Sequence, residues 1–244
     1  MISAESRQRI DDFWAHQLVI TPDLLRSHQL LLLPHPDLNL LSCRVFQCHT
    51  FTCVQVPQPY YADLRHTIGL HDRARLLTPA WWQHAFGTTP LKVIGPAYLG
   101  YADAHQFRPR IHHPTRLVRS SDAAAFAAFA RTVGAGAWEQ SGLGAGSHPI
   151  AGCWQEERLV AAAGYTVWGA TLAHIGVTTD PTVRGRGYGT SVVSAIGTHA
   201  LENKYVLQYR TLQANHASLA IAAALGFQSY ATTLVIRLRA ATQD

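Results

Sequence analysis

The sequence predicts an α/β chain in two parts, a smaller N-terminal α/β subdomain over residues 1–113 and a second part over 114–244. Three observations predict this. Apolar residues recur at helical spacing in some segments and in alternation in others, along the whole chain. Between them, Ala102–Thr115 (ADAHQFRPRIHHPT) combines prolines, charges and histidines with no apolar period and reads as a connector. Only the second part carries a glycine-rich loop set between a strand pattern and an amphipathic helix pattern. With 48% apolar residues, the 244-residue chain can bury a real core.

The first part opens on a helical stretch, Ser3 to His16, in which Ile10, Phe13 and Trp14 share a face. Thr21-Pro22-Asp23 is the start signal of a second helix. Leu30–Leu33, closed by Pro34, is short enough for a buried strand or a helix end. Leu38–Val56 reads as a hairpin or meander, Tyr60–Leu70 as a helix, and Pro79–Phe86 as a proline-opened helix whose Trp81 and Trp82 suit packing. Lys92–Tyr101 resumes a strand pattern. Cys43, Cys48 and Cys53 fall every fifth residue. On one continuous strand Cys43 and Cys53 share a face and Cys48 takes the other, which suits neither a disulfide nor a zinc site. With Cys153 they read as buried free thiols.

In the second part Arg116–Arg119 is a short strand, Ser121 is the expected cap of a helix through Val133, and Ala135–Ser141 is another short helix. Ile150–Gln155, Leu159–Trp168 and Leu172–Thr179 read as strands. Then come the loop Pro181–Gly189 and a helix from Tyr188 to Glu202, with Val192, Val193, Ile196 and Ala200 on one face. A strand (Tyr205–Gln213), a helix (Ala217–Leu225) and a last strand or pair (Phe227–Leu238) complete the chain.

Composition narrows the function. Glu5, Asp11 and Asp12 near the N-terminus do not fit a signal peptide, and no segment approaches a membrane span, so the expectation is a cytoplasmic protein without a membrane partner. The formal charge of +5 is spread over both halves, with no Lys/Arg run interleaved with aromatics, which argues against nucleic acid and permits an anionic cofactor. His112-His113 lacks further ligands nearby, so it reads as solvated linker and no metal is expected.

The loop Val183-Arg-Gly-Arg-Gly-Tyr-Gly-Thr190 carries the chemistry. Free N–H groups at a helix N-terminus attract phosphate; Gly185, Gly187 and Gly189 bare the backbone, and Arg184 and Arg186 add positive charge. A Walker A loop would need a Gly-Lys-Ser/Thr ending. A dinucleotide fingerprint read from Gly185 would need glycine where Thr190 stands.

The loop resembles the acyl-CoA signature of the GNAT superfamily of N-acyltransferases, Gln/Arg-x-x-Gly-x-Gly/Ala, through Arg184, Gly187 and Gly189. Val177-Thr178-Thr179-Asp180-Pro181 is similar to the run that precedes the family's loop, and Asn215 and Gly226-Phe227 fall where the family places an asparagine and a Gly-Phe helix end. The resemblance covers roughly residues 115–240 and implies a mixed, mostly antiparallel central sheet flanked by helices. It implies an N-acetyltransferase that uses acetyl-CoA without a metal and passes the acetyl group to a primary amine, of a small molecule or peptide, by direct attack in a ternary complex. By resemblance, the backbone of Val177, Thr178 and Thr179 pairs with the pantetheine amides, Arg184, Gly185, Arg186, Gly187, Tyr188, Gly189 and Thr190 hold the pyrophosphate, and Asn215 bonds the pantetheine arm or nearby backbone. The N-terminal subdomain, lacking this loop, is either a degenerate copy of the same fold or an addition that walls off the acceptor site.

Two departures stand out. The tyrosine that many members carry seven residues after the asparagine, to protonate the thiolate, is Ala222 here, leaving another tyrosine (Tyr165, Tyr188 or Tyr230), a water, or a thiolate that departs unaided. Where a strand acid often serves as base there is Ala173, with His174 beside it as the candidate catalytic base. Because of Ala222 a non-catalytic acyl-CoA sensor is a rival reading, and an interaction module is another. The sequence carries no signal of oligomeric state.

Overall fold

A computed structural model describes residues 1–37, 40–68, 73–144 and 147–238. In chain order these form α1 (Ala4–Leu18), β1 (Leu30–Pro34), β2 (Ser42–Cys48), β3 (Phe51–Val56), α2 (Tyr61–Ile68), α3 (Pro79–Phe86) and β4 (Leu91–Ala102). There follow β5 (Thr115–Leu117), α4 (Ala123–Val133), α5 (Ala135–Gln140), β6 (Ile150–Gln155), β7 (Arg158–Trp168), β8 (Leu172–Thr179), α6 (Tyr188–Glu202), β9 (Val206–Leu212), α7 (His216–Ala224) and β10 (Gln228–Leu238). The fold is a mixed α/β architecture with mostly antiparallel strands, β1 with β3 and β8 with β9 being parallel pairs. Two compact units share the chain, each built from three segments. The first comprises Met1–Arg7, Gly100–Arg210 and Asn215–Gln228; the second comprises Gln8–Leu99, Thr211–Ala214 and the residues from Ser229 on.

In the second unit the strands run in the order β1-β3-β2-β10-β4. One core cluster contains Cys43, Val45, Val54, Val56, Leu64, Ile68, Trp82, Leu234 and Ile236, with Trp81 packed partly buried against it. The Trp82 indole N–H donates to the Leu76 carbonyl at 2.8 Å, so the ring is buried without an orphaned donor. Phe46 lies on the other face, its ring 4.6 Å from that of Trp14. The fully buried Asp11 carboxylate accepts from Arg26 at 2.7 Å and from the Tyr230 hydroxyl at 2.8 Å.

The structure corrects several details of the first part. The segment after Thr21 is a single 3-10 turn, Pro22–Arg26, closed by extended Ser27, whose hydroxyl donates to the Leu24 carbonyl. The predicted positions 69 and 70 of α2 lie outside the described residues. Cys43 and Cys53 do not share a face: the hairpin aligns Phe46 with Cys53, so the turn at residues 49–50 swaps the parity expected of one strand and puts Cys53 with Cys48. All four cysteines are buried and free, and burial pushes the thiols of Cys43 and Cys53 up to about 12.

In the first unit the order is β9-β8-β7-β6-β5. One sheet face packs on α4 and α5 through Phe129, Val133, Leu143, Ile150, Leu159 and Ala162. The other face meets α6, where the Tyr165 hydroxyl is 3.2 Å from His199 Nδ1. At the centre β7 reads Ala161-Ala162-Ala163-Gly164, all buried, and at Gly164 little room remains: a Cβ there would lie 3.0 Å from Ile150 Cγ1 and 3.1 Å from the Pro149 carbonyl. Ser121 does not cap α4. It sits in a 3-10 turn, Ser120–Asp122, that Asp122 organises by accepting from the Arg119 N–H at 2.8 Å and from the Arg116 guanidinium at 2.6 and 2.8 Å.

Residues 103–114 form no regular element and most are exposed, yet they are anchored to the rest of the fold at several points. Phe107 is buried with its ring 5.9 Å from that of Phe227, the Arg108 N–H donates to the Leu225 carbonyl at 3.0 Å, and the Arg110 N–H donates to Ser194 Oγ at 2.8 Å. This strap, with the rest of residues 100–113, belongs to the first unit.

Candidate functional site

The glycine loop is fixed at its entrance by Asp180. Its carboxylate accepts from the Thr182 N–H at 2.8 Å and the Thr182 hydroxyl at 2.7 Å, with Arg158 at 3.1 Å. Burial of this carboxyl opposes ionisation, but the Thr182 bonds and the charges of Arg158 and Arg184 outweigh it and hold the group below the ordinary carboxylate range. A single turn, Pro181–Val183, follows. Gly185 (φ +77°) and Gly187 (φ +85°) then adopt left-handed backbone that side chains disfavour, and Gly187 caps α6 by accepting from the Ser191 N–H at 3.0 Å.

Among the described residues, the N–H groups of Gly185 through Thr190 have no hydrogen-bond partner within the protein. Six consecutive free donors at the positive end of a 15-residue helix are of the kind that can hold an anion. Around it, Arg184 Nε donates to the Thr179 carbonyl at 3.2 Å, and Gln155 Nε2 donates to the Tyr188 hydroxyl at 2.6 Å. A Cβ on Gly189 would lie 3.1 Å from Ile221 Cδ1 and 3.2 Å from Thr179 Oγ1, so a larger residue fits only if one of these side chains gives way slightly.

The expected pairing strand parts from β9 before its end. The β7–β8 register continues to Thr179, whereas the β8–β9 register stops at the pair Ile175 and Tyr209. The Asp180 N–H points to β7, donating to the Val160 carbonyl at 2.9 Å, so Val177 and Thr179 direct their main-chain groups to the side that β9 has left. Two of those groups are engaged within the chain: the Val177 N–H donates to the Ser141 carbonyl at 2.9 Å, and the Thr179 carbonyl accepts from Arg184. Thr178 faces the other way and is buried. The capture of the Val177 N–H by Ser141, at the end of α5, had no signal in the sequence.

His174 lies on the sheet face that meets α4 and α5, its ring stacked on Trp168 at 4.1 Å and 18°. Nδ1 is buried without a hydrogen-bond partner. Burial pushes the imidazole pKa down to about 4, with Arg210 adding to the shift and Gln208 opposing it. Gln208 occupies the paired position on β9, and its Nε2 donates to the Tyr101 hydroxyl at 2.5 Å. Of the candidate acids, Tyr165 is bonded to His199, Tyr188 to Gln155 and Tyr230 to Asp11. Ala222 is buried in α7 and leaves no hydroxyl there. Tyr209, which no sequence motif singles out, is buried on β9 with its hydroxyl 2.9 Å from Ser218 Oγ, and burial pushes its pKa up to about 12. Asn215 is an exposed N-cap of α7, accepting from the Ser218 N–H at 3.1 Å.

His112 is exposed and His113 half-buried, as a linker would be, but both are also tied to the start of α6. Both backbone N–H groups donate to Ser191 Oγ, at 2.9 and 3.1 Å, and the His113 ring stacks on Tyr188 at 3.8 Å. The described residues include no cluster of three His, Cys, Asp or Glu side chains able to hold a metal, and no helix long and apolar enough to cross a membrane.

The family model of the acetyltransferase (GNAT) domain matches residues 98–228. A GCN5-related N-acetyltransferase from Kribbella flavida is similar in fold over 98% of this chain and 97% of its own, with TM-score 0.52 at 14% identity. A GCN5-related N-acetyltransferase-like protein from Streptococcus suis is 12% identical over 82% of this chain and 84% of its own, with TM-score 0.49. A GNAT-family acetyltransferase from Colwellia psychrerythraea is 16% identical over 65% of this chain and 61% of its own, also with TM-score 0.49. Comparison with curated proteins finds no match.

Proposed function

The chain belongs to the GNAT acetyltransferase family and is an acyltransferase, and from that premise we propose that it transfers an acetyl group from acetyl-CoA to a primary amine of a small molecule or peptide in a ternary complex. A cytoplasmic setting suits its four buried, unpaired thiols. The observation that carries the reading is the row of unpartnered N–H groups from Gly185 to Thr190 at the start of α6. They fit a pyrophosphate, with Arg184 and Arg186 beside it. The Val177 carbonyl and the Thr179 N–H, on the side open beyond β9, are left to pair with pantetheine amides.

The thioester supplies an electrophilic carbonyl and a thiolate leaving group. Held beside it, the acceptor needs little more than a neutral nitrogen and an outlet for a proton, because proximity supplies much of the rate. We assign the proton to His174. A pKa of about 4 makes it a weak base for a free ammonium ion, but it keeps the imidazole neutral at physiological pH. The N–H becomes far more acidic once the nitrogen lone pair is committed to the new bond, and a weak base then suffices.

Calorimetric titration with acetyl-CoA tests the binding half, with micromolar affinity, about −8 kcal/mol, expected. Thiol release from acetyl-CoA across a panel of small amines and peptides tests the transfer half. Tight binding with no release against any amine would leave only a binding protein.

A further inference from the structure

We propose that His113 is a positioning residue for the anion-binding loop: it holds the Arg186 carbonyl and thereby orients the Gly187 N–H toward the pyrophosphate. This rests on the acyl-CoA reading above. His113 Nε2 lies 2.6 Å from the Arg186 carbonyl oxygen. A carbonyl has no hydrogen to give, so Nε2 carries it and the tautomer follows. In a planar trans peptide the C=O and N–H point opposite ways. Tying the oxygen of the 186–187 peptide to the strap therefore turns its nitrogen, the Gly187 N–H, away from the strap. That N–H has no partner in the protein.

Three further contacts hold the imidazole to this task. It stacks on Tyr188 at 3.8 Å and 16°, and Tyr188 is itself tied to Gln155. The backbone N–H groups of His112 and His113 both end on Ser191 Oγ in the first turn of α6. Behind Gly187, a Cβ would come within 3.3 Å of His112 Cδ2, so the strap also closes the rear of the loop. Gly187 sits at φ +85°, a conformation that its own sequence does not enforce, and an external tether of this kind keeps it there.

The test uses the full chain with His113→Phe, which keeps a ring to stack on Tyr188 but has no donor, and His113→Gln, which restores an N–H donor. Calorimetry with CoA should show the phenylalanine variant about 5–10-fold weaker, the range expected for one hydrogen bond, and the glutamine variant within about 2-fold of wild type. Thermal unfolding without ligand should agree closely across the three proteins, and nitrogen NMR should find the His113 proton on Nε2. Wild-type affinity in His113→Phe, a glutamine variant as weak as the phenylalanine one, or an Nε2 without a proton would overturn the proposal alone. Failure of the wild type to bind CoA would overturn the acyl-CoA reading with it.

Discussion

At the scale of single residues, Gly187 is the position that best tells the proposed CoA cradle from an ordinary turn. Any side chain there adopts φ +85° at a cost of about 1–2 kcal/mol and presses on His112, so some stability is lost whatever the function. Gly185 is the control, left-handed too at φ +77° but with open space around its Cβ direction. Gly187→Glu should remove CoA binding, because its side chain starts toward His112, pushes the strap off the loop and brings a negative charge beside the anion-binding N–H groups, whereas Gly185→Ala should show a similar stability loss and only modest weakening. Calorimetry beside urea unfolding separates the two effects, and a Gly187→Glu protein that still bound CoA would relocate the site. His174 yields a second prediction. Its folded pKa of about 4 lies below the ordinary 6.5, so between those values the unfolded chain binds a proton that the folded chain refuses. Stability therefore falls as pH drops from about 6.5 to 4, by about 1–3 kcal/mol from this group. Urea midpoints should show that slope in wild type and less of it in His174→Gln. If His174 takes the proton, the same substitution should cut turnover about 100-fold, and most at pH values where the wild-type imidazole is neutral. Full turnover in the variant would leave the base to solvent.

At the scale of elements, the strap is held against α6 by one close fit. A Cβ on Gly197 would stand 2.5 Å from Phe107 Cζ and 3.0 Å from Cε1, and the buried Phe107 ring, against Phe227, has little room to retreat. Gly197→Ala should gain about 1 kcal/mol in helix propensity and lose about 1–3 kcal/mol to overpacking, for a net destabilisation. With Phe107→Leu already present the same change should become neutral or stabilising, a sign reversal that a double-mutant cycle would detect. The strap also marks where the sequence stops being readable. α6 spans Tyr188–Glu202 as its spacing predicts, and the glycine loop was visible beside it, because both are written in adjacent residues. The strap's partners, Leu225, Ser191 and Ser194, lie roughly eighty or more positions away, and nothing in ADAHQFRPRIHHPT carries a period that would announce them. The parity of Cys53 was lost for a related reason. It depends on where the β2–β3 turn falls, which alternation alone does not specify.

At the scale of the molecule, neither unit is continuous in sequence, and the site is assembled across that discontinuity. The first unit draws on Met1–Arg7, where the Ser3 N–H donates to buried Asp103 at 2.8 Å and the Met1 carbonyl accepts from Gln106 at 3.0 Å. It then uses the strap before reaching the loop at residues 184–190. A fragment beginning at residue 114, the boundary expected from composition, keeps every glycine of the loop. It discards Phe107, the N–H groups that satisfy Ser191 and Ser194, and the His113 tether of the 186–187 peptide. Removing the Phe107 side chain alone should cost about 3–5 kcal/mol, a large share of the 5–15 kcal/mol that typically separates folded from unfolded states. Residues 114–244 expressed alone should therefore lack a cooperative thermal transition by circular dichroism and should show no calorimetric signal with CoA, although the whole signature motif is present. A fragment that melted cooperatively and bound CoA like the full chain would mean that the motif and its own helix suffice, and that the strap only decorates a cradle already complete.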